Sequence, residues 1–220
     1  MYSDNSPVQI LNMLELREQN QSLYETLPGQ LHSISAREEA LLERSTQHYT
    51  TQRNYNQIVI ATTRNRVIGS VGMLPVADGI CEVSGAWVHS EFRGHGIGGQ
   101  LHKKLKEVAV SANQILYSTV KPHIPGNFPE VLINIKELGA IPVSFSQLSE
   151  KNPEAFRGCC ACSERKNHEY CPDRDHTCFL LMQGARREDA EIILNSPGWK
   201  NAIDEKGRDT LIHHIDQYIL

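Results

Sequence analysis

The sequence has 220 residues, a mass of 24.8 kDa and a formal net charge of −4. This length allows one domain with its own hydrophobic core and a small appendage, and it argues against two full-size domains. Apolar residues make up 40% of the chain and charged residues 22%, as in an ordinary globular protein, and the acidic balance gives no support for a nucleic-acid partner.

The N-terminal residues 1–7 contain no basic segment followed by an apolar stretch, so they do not resemble a secretory signal. The sequence also has no apolar run near the roughly 20 residues that a membrane-spanning helix needs. We therefore expect a cytoplasmic location and no membrane partner.

The first part of the chain, from Leu11 to about Thr46, has a mostly helical pattern. We predict two helices separated by Pro28-Gly29, and the second starts at Ser35, since Glu38 three residues later completes a capping-box pattern. From Gln57 onward, β-branched residues alternate with turn formers, which predicts three strands joined by hairpins. Their expected ranges are 57–63, 66–76 and 80–88.

The second half predicts alternating helices and strands. A helix follows a glycine-rich loop, because apolar residues recur at spacings of three and four: Ile97, Leu101, Leu105, Val108 and Ala112. A strand at 115–120 comes next, then a helix over 128–138 that starts behind Asn127 and stops at Gly139. Two final strands are expected at 141–146 and 177–183, with a polar helical tail after Gly184.

The glycine-rich loop Arg93-Gly94-His95-Gly96-Ile97-Gly98 lies between a predicted strand and a predicted helix. Closely spaced glycines let the backbone approach a phosphate group, whose charge is met by the N–H groups of the helix N-terminus. The sequence lacks the Gly-x-x-x-x-Gly-Lys-Ser/Thr run of nucleotide triphosphatases. Gly94-x-Gly96-x-x-Gly99 matches the dinucleotide fingerprint formally, but that fingerprint requires an early βαβ unit, whereas this loop follows a three-strand meander.

The segment from Trp87 to Gly98 resembles the Arg/Gln-x-x-Gly-x-Gly/Ala motif of the GNAT superfamily of N-acetyltransferases. The likeness includes the strand that ends in valine and the acidic-aromatic pair before the arginine. The order of elements over residues 8–183 matches as well. The resemblance implies an α/β (α+β) fold with a mixed, mostly antiparallel central sheet flanked by helices, and a cysteine-rich insertion before the last strand.

The resemblance also implies acetyl-CoA as the acyl donor. Backbone amides of the loop would hold the coenzyme A pyrophosphate, and the end of the preceding strand would pair with the pantetheine arm like an added strand. In the family a bulge splays this strand, and Gly85 suits one, although a flat strand position explains it equally well. Asn127 stands where the family places an asparagine that bonds to the pantetheine arm, and helix capping explains it too. The cofactor-binding residues so implied are Ala86, Trp87, Val88, Arg93, Gly94, His95, Gly96, Ile97, Gly98, Gly99 and Asn127.

Glu82 is the candidate general base. In a regular strand Glu82, Ser84, Ala86 and Val88 share one face, and Glu82 resembles the glutamate that many family members use as a base on this strand. The alternative is a solvated carboxylate.

The family's general acid is often a tyrosine four residues before the glycine that ends the later helix, but here that position holds Ile135. Tyr117, His123 and Cys81 are candidate substitutes for this acid. Each can also be explained without catalysis, as a core aromatic residue, a loop histidine and a small buried residue respectively.

Five of the six cysteines lie between Cys159 and Cys178. Cys159 and Cys162 have Cys-x-x-Cys spacing, which lets two thiolates of one turn bind a single ion. Cys171 and Cys178 complete a candidate structural zinc site, with Cys160, His168 and His176 as alternates. Free thiols, disulfides and redox sensing stay open. We also expect this insertion to influence the choice of acceptor.

The leading functional hypothesis is an N-acyltransferase that moves an acetyl group from acetyl-CoA to a primary amine, of a small molecule or of a protein, by direct attack in a ternary complex. The alternatives are a non-catalytic acyl-CoA-binding or regulatory module and a zinc-stabilised interaction protein. The expected domains are residues 1–184, including an insertion at about 150–176, and a helical tail at 185–220. This tail contains an apolar stripe with helical spacing, formed by Leu211, Ile212, Ile215 and Ile219. We expect the stripe to be buried against the domain itself or against a second subunit in a homodimer.

Overall fold

The structure is a computed structural model that describes residues 7–38, 41, 43–64, 66–120, 128–143, 179–184 and 205–219. Its strands are β1 (Gln9–Asn12), β2 (Ile58–Thr63), β3 (Arg66–Ala77), β4 (Ile80–Val88), β5 (Ile115–Val120), β6 (Ala140–Val143) and β7 (Phe179–Gln183). Its helices are α1 (Met13–Gln19), α2 (Gln21–Ser35), α3 (Thr46–Asn54), α4 (Ile97–Ser111), α5 (Phe128–Ile133) and α6 (Glu205–Ile219).

The strands of the described residues form a sheet in the order β1-β2-β3-β4-β5-β7-β6. The β1/β2, β2/β3, β5/β7 and β6/β7 pairs are antiparallel, and β4 is parallel to β5. The mixed, mostly antiparallel sheet confirms the expected fold class. The cysteine-rich insertion lies outside the described residues.

The chain divides into two compact units, and the division falls within both β3 and β4. The first unit contains residues up to Leu74 together with Val83–Ala112, and the second contains Pro75–Glu82 and the residues from Asn113 onward. The β4/β5 pairing joins Ile80–Glu82 to Ile115–Tyr117 and therefore belongs to the second unit.

Helices cover both sides of the first unit's strands. On one side α1, α2 and α3 enclose a buried cluster with alternate residues of β2, made of Leu11, Met13, Leu16, Leu23, Leu27, Leu31, Tyr49, Ile58, Ile60, Val67 and Trp87. On the other side α4 packs through Leu101, which lies against Gly69 of β3. A β-carbon built at Gly69 would lie only 3.1 Å from Leu101 Cδ1 and 3.5 Å from Ala61 Cβ. This packing agrees with the apolar stripe predicted for α4.

Helix α2 runs through Pro28-Gly29, where we predicted a break between two helices. Proline removes the N–H that would bond to the carbonyl four residues earlier. That carbonyl, on Tyr24, instead accepts a hydrogen bond from Arg53 Nη1 at 3.1 Å, and the Arg53 guanidinium lies 4.6 Å from the centre of the Tyr24 ring. A tertiary contact from α3 therefore compensates the lost helical bond.

Two further expectations for this region are wrong. Ser35 ends α2 instead of starting a helix, and its hydroxyl bonds to the carbonyl of His32. Residues 11 and 12 belong to β1, because Asn12 caps α1 in a capping box with Glu15 and so stops the helix from extending backwards.

Lys104 on α4 bonds to Glu15 of α1 over 2.6 Å between Nζ and Oε1. Burial raises the pKa of the Glu15 carboxyl, but the hydrogen bonds from Lys104 and the Asn12 N–H and the Lys104 charge outweigh it, so the pKa lies below its ordinary value of 4.5. A carboxyl whose pKa is lowered by folding stabilises the folded state above its unfolded pKa, and this contribution is lost as the pH falls through the folded pKa.

We therefore expect Lys104→Met to lower the free energy of unfolding by about 0.5–1 kcal/mol at pH 7, because the pair is partly exposed. The difference from the wild type should shrink as the pH falls below 4.5 and through the folded pKa of Glu15, as urea unfolding at pH 7 and at an acidic pH will show. Lys103→Met on the exposed side of the same helix is the control. An equal loss for Lys104→Met at both pH values would contradict this account.

In the second unit, one side chain of β7 joins two neighbouring elements. Gln183 Nε2 donates to the carbonyl of Leu138 over 2.7 Å, and its Oε1 accepts from the N–H of Leu116 over 2.9 Å. Helix α5 continues as a π-helical turn, Asn134–Leu138, and ends at Gly139 with φ 66°, as predicted. In α6, Leu211 and Ile215 are buried by the chain itself. Among the described residues no helix is long and apolar enough to cross a membrane.

Candidate functional site

Strand β4 is interrupted by Gly85, which has φ 61°. A left-handed glycine inside a strand is typical of a G1-type bulge, which adds one residue to the strand and reverses the alternation of side chains beyond it. The contacts show this reversal. Ser84 bonds to Gln52 of α3, and Trp87 joins the buried cluster that includes Tyr49 of the same helix, so both side chains lie on one side of the sheet.

This reversal corrects our expectation that Ser84 shares a face with Ala86 and Val88. Ser84 and Trp87 are three residues apart, and in a regular strand they would lie on opposite faces. Glu82 precedes the bulge and follows the alternation of Ser84. The backbone angle thus supports the bulge predicted at Gly85. Of the four residues expected on one face of the strand, only Glu82 and Ser84, which precede Gly85, share it.

The segment after β4 is held by hydrogen bonds to backbone carbonyls. The N–H of His89 donates to the carbonyl of Ile68 over 2.8 Å, a 3₁₀ turn covers Ser90–Phe92, and Arg93 Nε donates to the carbonyl of Val88 over 2.8 Å. These contacts tie the start of the glycine-rich loop to the end of the strand, so the position of the loop follows from that of β4.

Gly94 and Gly96 both have left-handed backbones, with φ 81° and 74°. A residue with a β-carbon adopts this region at a cost, so the loop conformation explains both glycines. A β-carbon built at either one would meet no described atom within 4 Å. The space beside the loop is therefore open within the described part of the chain.

Helix α4 begins at Ile97 behind Gly96, and no side chain of the described residues caps it. The N–H groups of Ile97, Gly98 and Gly99 have no acceptor within the helix, because the first turn of a helix has none. Together with the partial positive charge of the helix end, they form a group of donors suited to an anion. The first turn also carries no acidic residue.

The loop itself contains two basic side chains, Arg93 and His95, and a third, Arg66, contacts His89 just before the loop. Arg93 is 59% exposed and lies 4.0 Å from the Glu38 carboxylate, and His95 Nδ1 lies 2.9 Å from the carbonyl of Arg93. Arg66 Nη2 lies 2.8 Å from His89 Nε2, which must accept because a guanidinium has only donors. All the predicted loop residues, from Arg93 to Gly99, lie in the first unit.

Glu82 lies in the second unit and is only 7% exposed, so it is not the solvated carboxylate of the alternative interpretation. The hydroxyl of Thr119 on β5 donates to Glu82 Oε1 at 3.4 Å. In the pairing of β4 with β5, Glu82 lies opposite Tyr117, which is also buried. A buried carboxylate requires such donors, since burial without hydrogen bonds is costly.

The family's usual tyrosine position holds Ile135, which is fully buried in the π-helical turn. Of the candidate substitutes, Cys81 is buried, its Sγ lies 3.3 Å from Gln114 Oε1, and burial raises the pKa of its thiol. The thiol therefore stays protonated at neutral pH.

Several predicted site residues lie outside the described residues, namely Asn127, His123, Cys159, Cys162, Cys171 and Cys178. Within the described part of the chain, no group of three or more His, Cys, Asp or Glu side chains could hold a metal ion. The zinc site therefore stays a prediction.

The sequence matches the acetyltransferase (GNAT) family over residues 17–124. This match covers just under half of the chain, and over that segment the chain is similar to GNAT acetyltransferases. The matched segment includes β4, the glycine-rich loop and α4, which are the elements that carry the motif. No curated protein matches the sequence.

The fold is similar to that of solved acetyltransferases. N-acetylglutamate synthase from Neisseria gonorrhoeae, complexed with coenzyme A and N-acetyl-glutamate, has a TM-score of 0.53 at 14% identity over 83% of this chain and 36% of that chain. Diaminobutyrate acetyltransferase from Paenibacillus lautus has a TM-score of 0.49 at 13% identity over 80% of this chain and 94% of that chain. The chain spans about a third of the length of the synthase, and an identity of 14% shows a shared fold alone.

Three polar side chains in the site region had no signal in the sequence. Gln52, Ser70 and Thr119 bond to residues of β4 that are 32, 15 and 37 positions away in the chain. No local pattern connects such positions, because strand register and helix packing bring them together.

Proposed function

We propose that this chain is an acyl-CoA-dependent N-acetyltransferase that moves an acetyl group from acetyl-CoA to a primary amine. The observation that carries this proposal is the loop at Gly94–Gly99, where two left-handed glycines precede an uncapped helix within the family match. Its donors suit the pyrophosphate of coenzyme A, and Arg93 and His95 lie beside them.

The pantetheine arm is proposed to pair with the backbone of Ala86–Val88 as an added strand. The bulge at Gly85 supports this, because a bulge interrupts regular strand pairing and so leaves backbone groups for a ligand. The Trp87 side chain is buried in the cluster below and holds this backbone in place. Asn127 keeps its proposed role at the pantetheine arm.

Glu82 is proposed as the general base, acting directly or through water. Amine acetylation requires a neutral amine, so a base must take a proton from the ammonium group or from the attacking amine. The Thr119 hydroxyl orients the Glu82 carboxylate, and the carboxylate has the buried setting in which a base is screened from bulk water. The amine then attacks the thioester carbon in a ternary complex, the C–S bond breaks, and coenzyme A leaves as a thiol.

A non-catalytic acyl-CoA-binding module is the second candidate. Ile135 favours it, since a buried apolar side chain at the usual general-acid position cannot protonate the leaving thiolate. In the catalytic proposal, water or the thiol of Cys81 supplies this proton instead. Both candidates predict that the protein binds acetyl-CoA, but only the catalytic one predicts turnover.

The test is release of free coenzyme A thiol from acetyl-CoA in the presence of a panel of amines. The panel contains amino acids, diamines, aminoglycoside-like amines and peptides with a free lysine or N-terminus. The catalytic proposal predicts release that depends on at least one amine. Binding of acetyl-CoA without any amine-dependent release would favour the module instead.

A cytoplasmic location, a homodimer, a structural zinc ion and a separate tail at 185–220 stay predictions from the sequence.

A further inference from the structure

The carbonyl of Gly85 accepts a hydrogen bond from Ser70 Oγ at 3.2 Å. Ser70 lies on β3 opposite Ile60, a member of the buried cluster, and it is only 7% exposed. The extra residue of a bulge lacks a regular partner in the strand ladder. The Ser70 hydroxyl gives the Gly85 carbonyl a donor from the protein and so stabilises this backbone conformation, although Gly85 itself is exposed.

A second buried side chain holds the residue before the bulge. Gln52 of α3 donates from Nε2 to the carbonyl of Met73 at 3.1 Å and to Ser84 Oγ at 3.4 Å. Gly72 leaves room for this amide, because a β-carbon there would lie 3.1 Å from Gln52 Nε2. Two polar side chains thus fix Ser84 and Gly85, and Trp87 fixes the strand two residues later through the buried cluster.

We propose that Ser70 is a positioning residue for acyl-CoA binding, because its hydroxyl holds the Gly85 carbonyl and so fixes the backbone of Ala86–Val88 for pairing with the pantetheine arm. This inference rests on the proposed function. Ser70 acts through the backbone and does not touch the ligand. Its removal should therefore weaken binding of the donor more than it slows the acetyl transfer itself.

The test compares Ser70→Ala with Ser70→Thr, which keeps the hydroxyl. Ser70→Ala should raise the KM for acetyl-CoA about 3- to 10-fold, the effect expected for one neutral hydrogen bond, while kcat changes less than about 2-fold. Ser70→Thr should restore most of the affinity. Ser35→Ala is the matched control, because Ser35 is equally buried and its hydroxyl bonds to a carbonyl of α2.

Equal KM values for Ser70→Ala and Ser35→Ala, in a wild type that turns over, would overturn the role of Ser70 and leave the proposed function standing. Amide hydrogen exchange gives a readout that does not depend on activity. The amides of Ala86 and Trp87 should exchange about 3- to 10-fold faster in Ser70→Ala than in Ser35→Ala. Unchanged exchange would overturn the inference, and a wild type that neither binds nor turns over acetyl-CoA would overturn the proposed function.

Discussion

The Glu82→Gln variant should turn over acetyl-CoA about 10²- to 10⁴-fold more slowly than the wild type with the best amine acceptor, which is the usual contribution of a general base. The amide has nearly the same shape as the carboxylate and can still accept the hydrogen bond from Thr119, so the fold should persist. It cannot take a proton from the amine. The measurement is kcat by coenzyme A thiol release, together with the dissociation constant of coenzyme A.

The loss should appear in kcat, whereas the dissociation constant should change less than about 2-fold, because the amide keeps the size and shape of the carboxylate and lacks only its ability to accept a proton. Glu107→Gln, an exposed carboxylate on α4, is the control and should retain full turnover. A Glu82→Gln enzyme with wild-type kcat across the pH range would show that another group is the base.

The Gly96→Val variant should bind coenzyme A about 5- to 30-fold more weakly than the wild type. A left-handed backbone at φ 74° costs an L-residue about 1–2 kcal/mol, and each 1.4 kcal/mol is a factor of about ten in affinity. The loop must either keep this strain or move, and movement turns the N–H groups of the α4 N-terminus away from the ligand. The added side chain would also occupy the open space beside the loop.

Gly79→Val is the matched control for this loss. Gly79 has φ 71° and likewise has no described atom within 4 Å of a built β-carbon, but it lies in the turn between β3 and β4. Both variants should lose similar stability, whereas only Gly96→Val should lose coenzyme A affinity. Equal loss of affinity in both would mean that general destabilisation, and not the loop, causes the effect.

The sequence predicted the elements with strong periodicity. The ranges of β2, β3, β4, α4 and β5 agree with those expected, because each has a long run of alternating or helically spaced apolar residues between clear turn formers. The stop at Gly139 followed from its left-handed role at a helix end. The glycine-rich loop could be predicted because its backbone requirement appears directly as a residue type.

The failures have a common physical origin in long-range contacts. Pro28 marks a helix break locally, but Arg53 from another helix compensates the carbonyl that proline leaves without a donor. Strand β1 has only four residues, too few for a periodic signal. The side-chain alternation of β4 was predicted for a regular strand, and the bulge at Gly85, held by Ser70, reverses it.

A calorimetric titration of coenzyme A and of pantetheine into the wild-type protein tests the central claim most directly. Pantetheine has the thiol arm but lacks the pyrophosphate and nucleotide. If the N–H groups of Gly94–Gly99 bind the pyrophosphate, coenzyme A should bind at least about tenfold more tightly than pantetheine, since one charge-assisted hydrogen bond contributes about 1.5–3 kcal/mol. Equal affinity for the two ligands, or no binding of coenzyme A, would contradict the account.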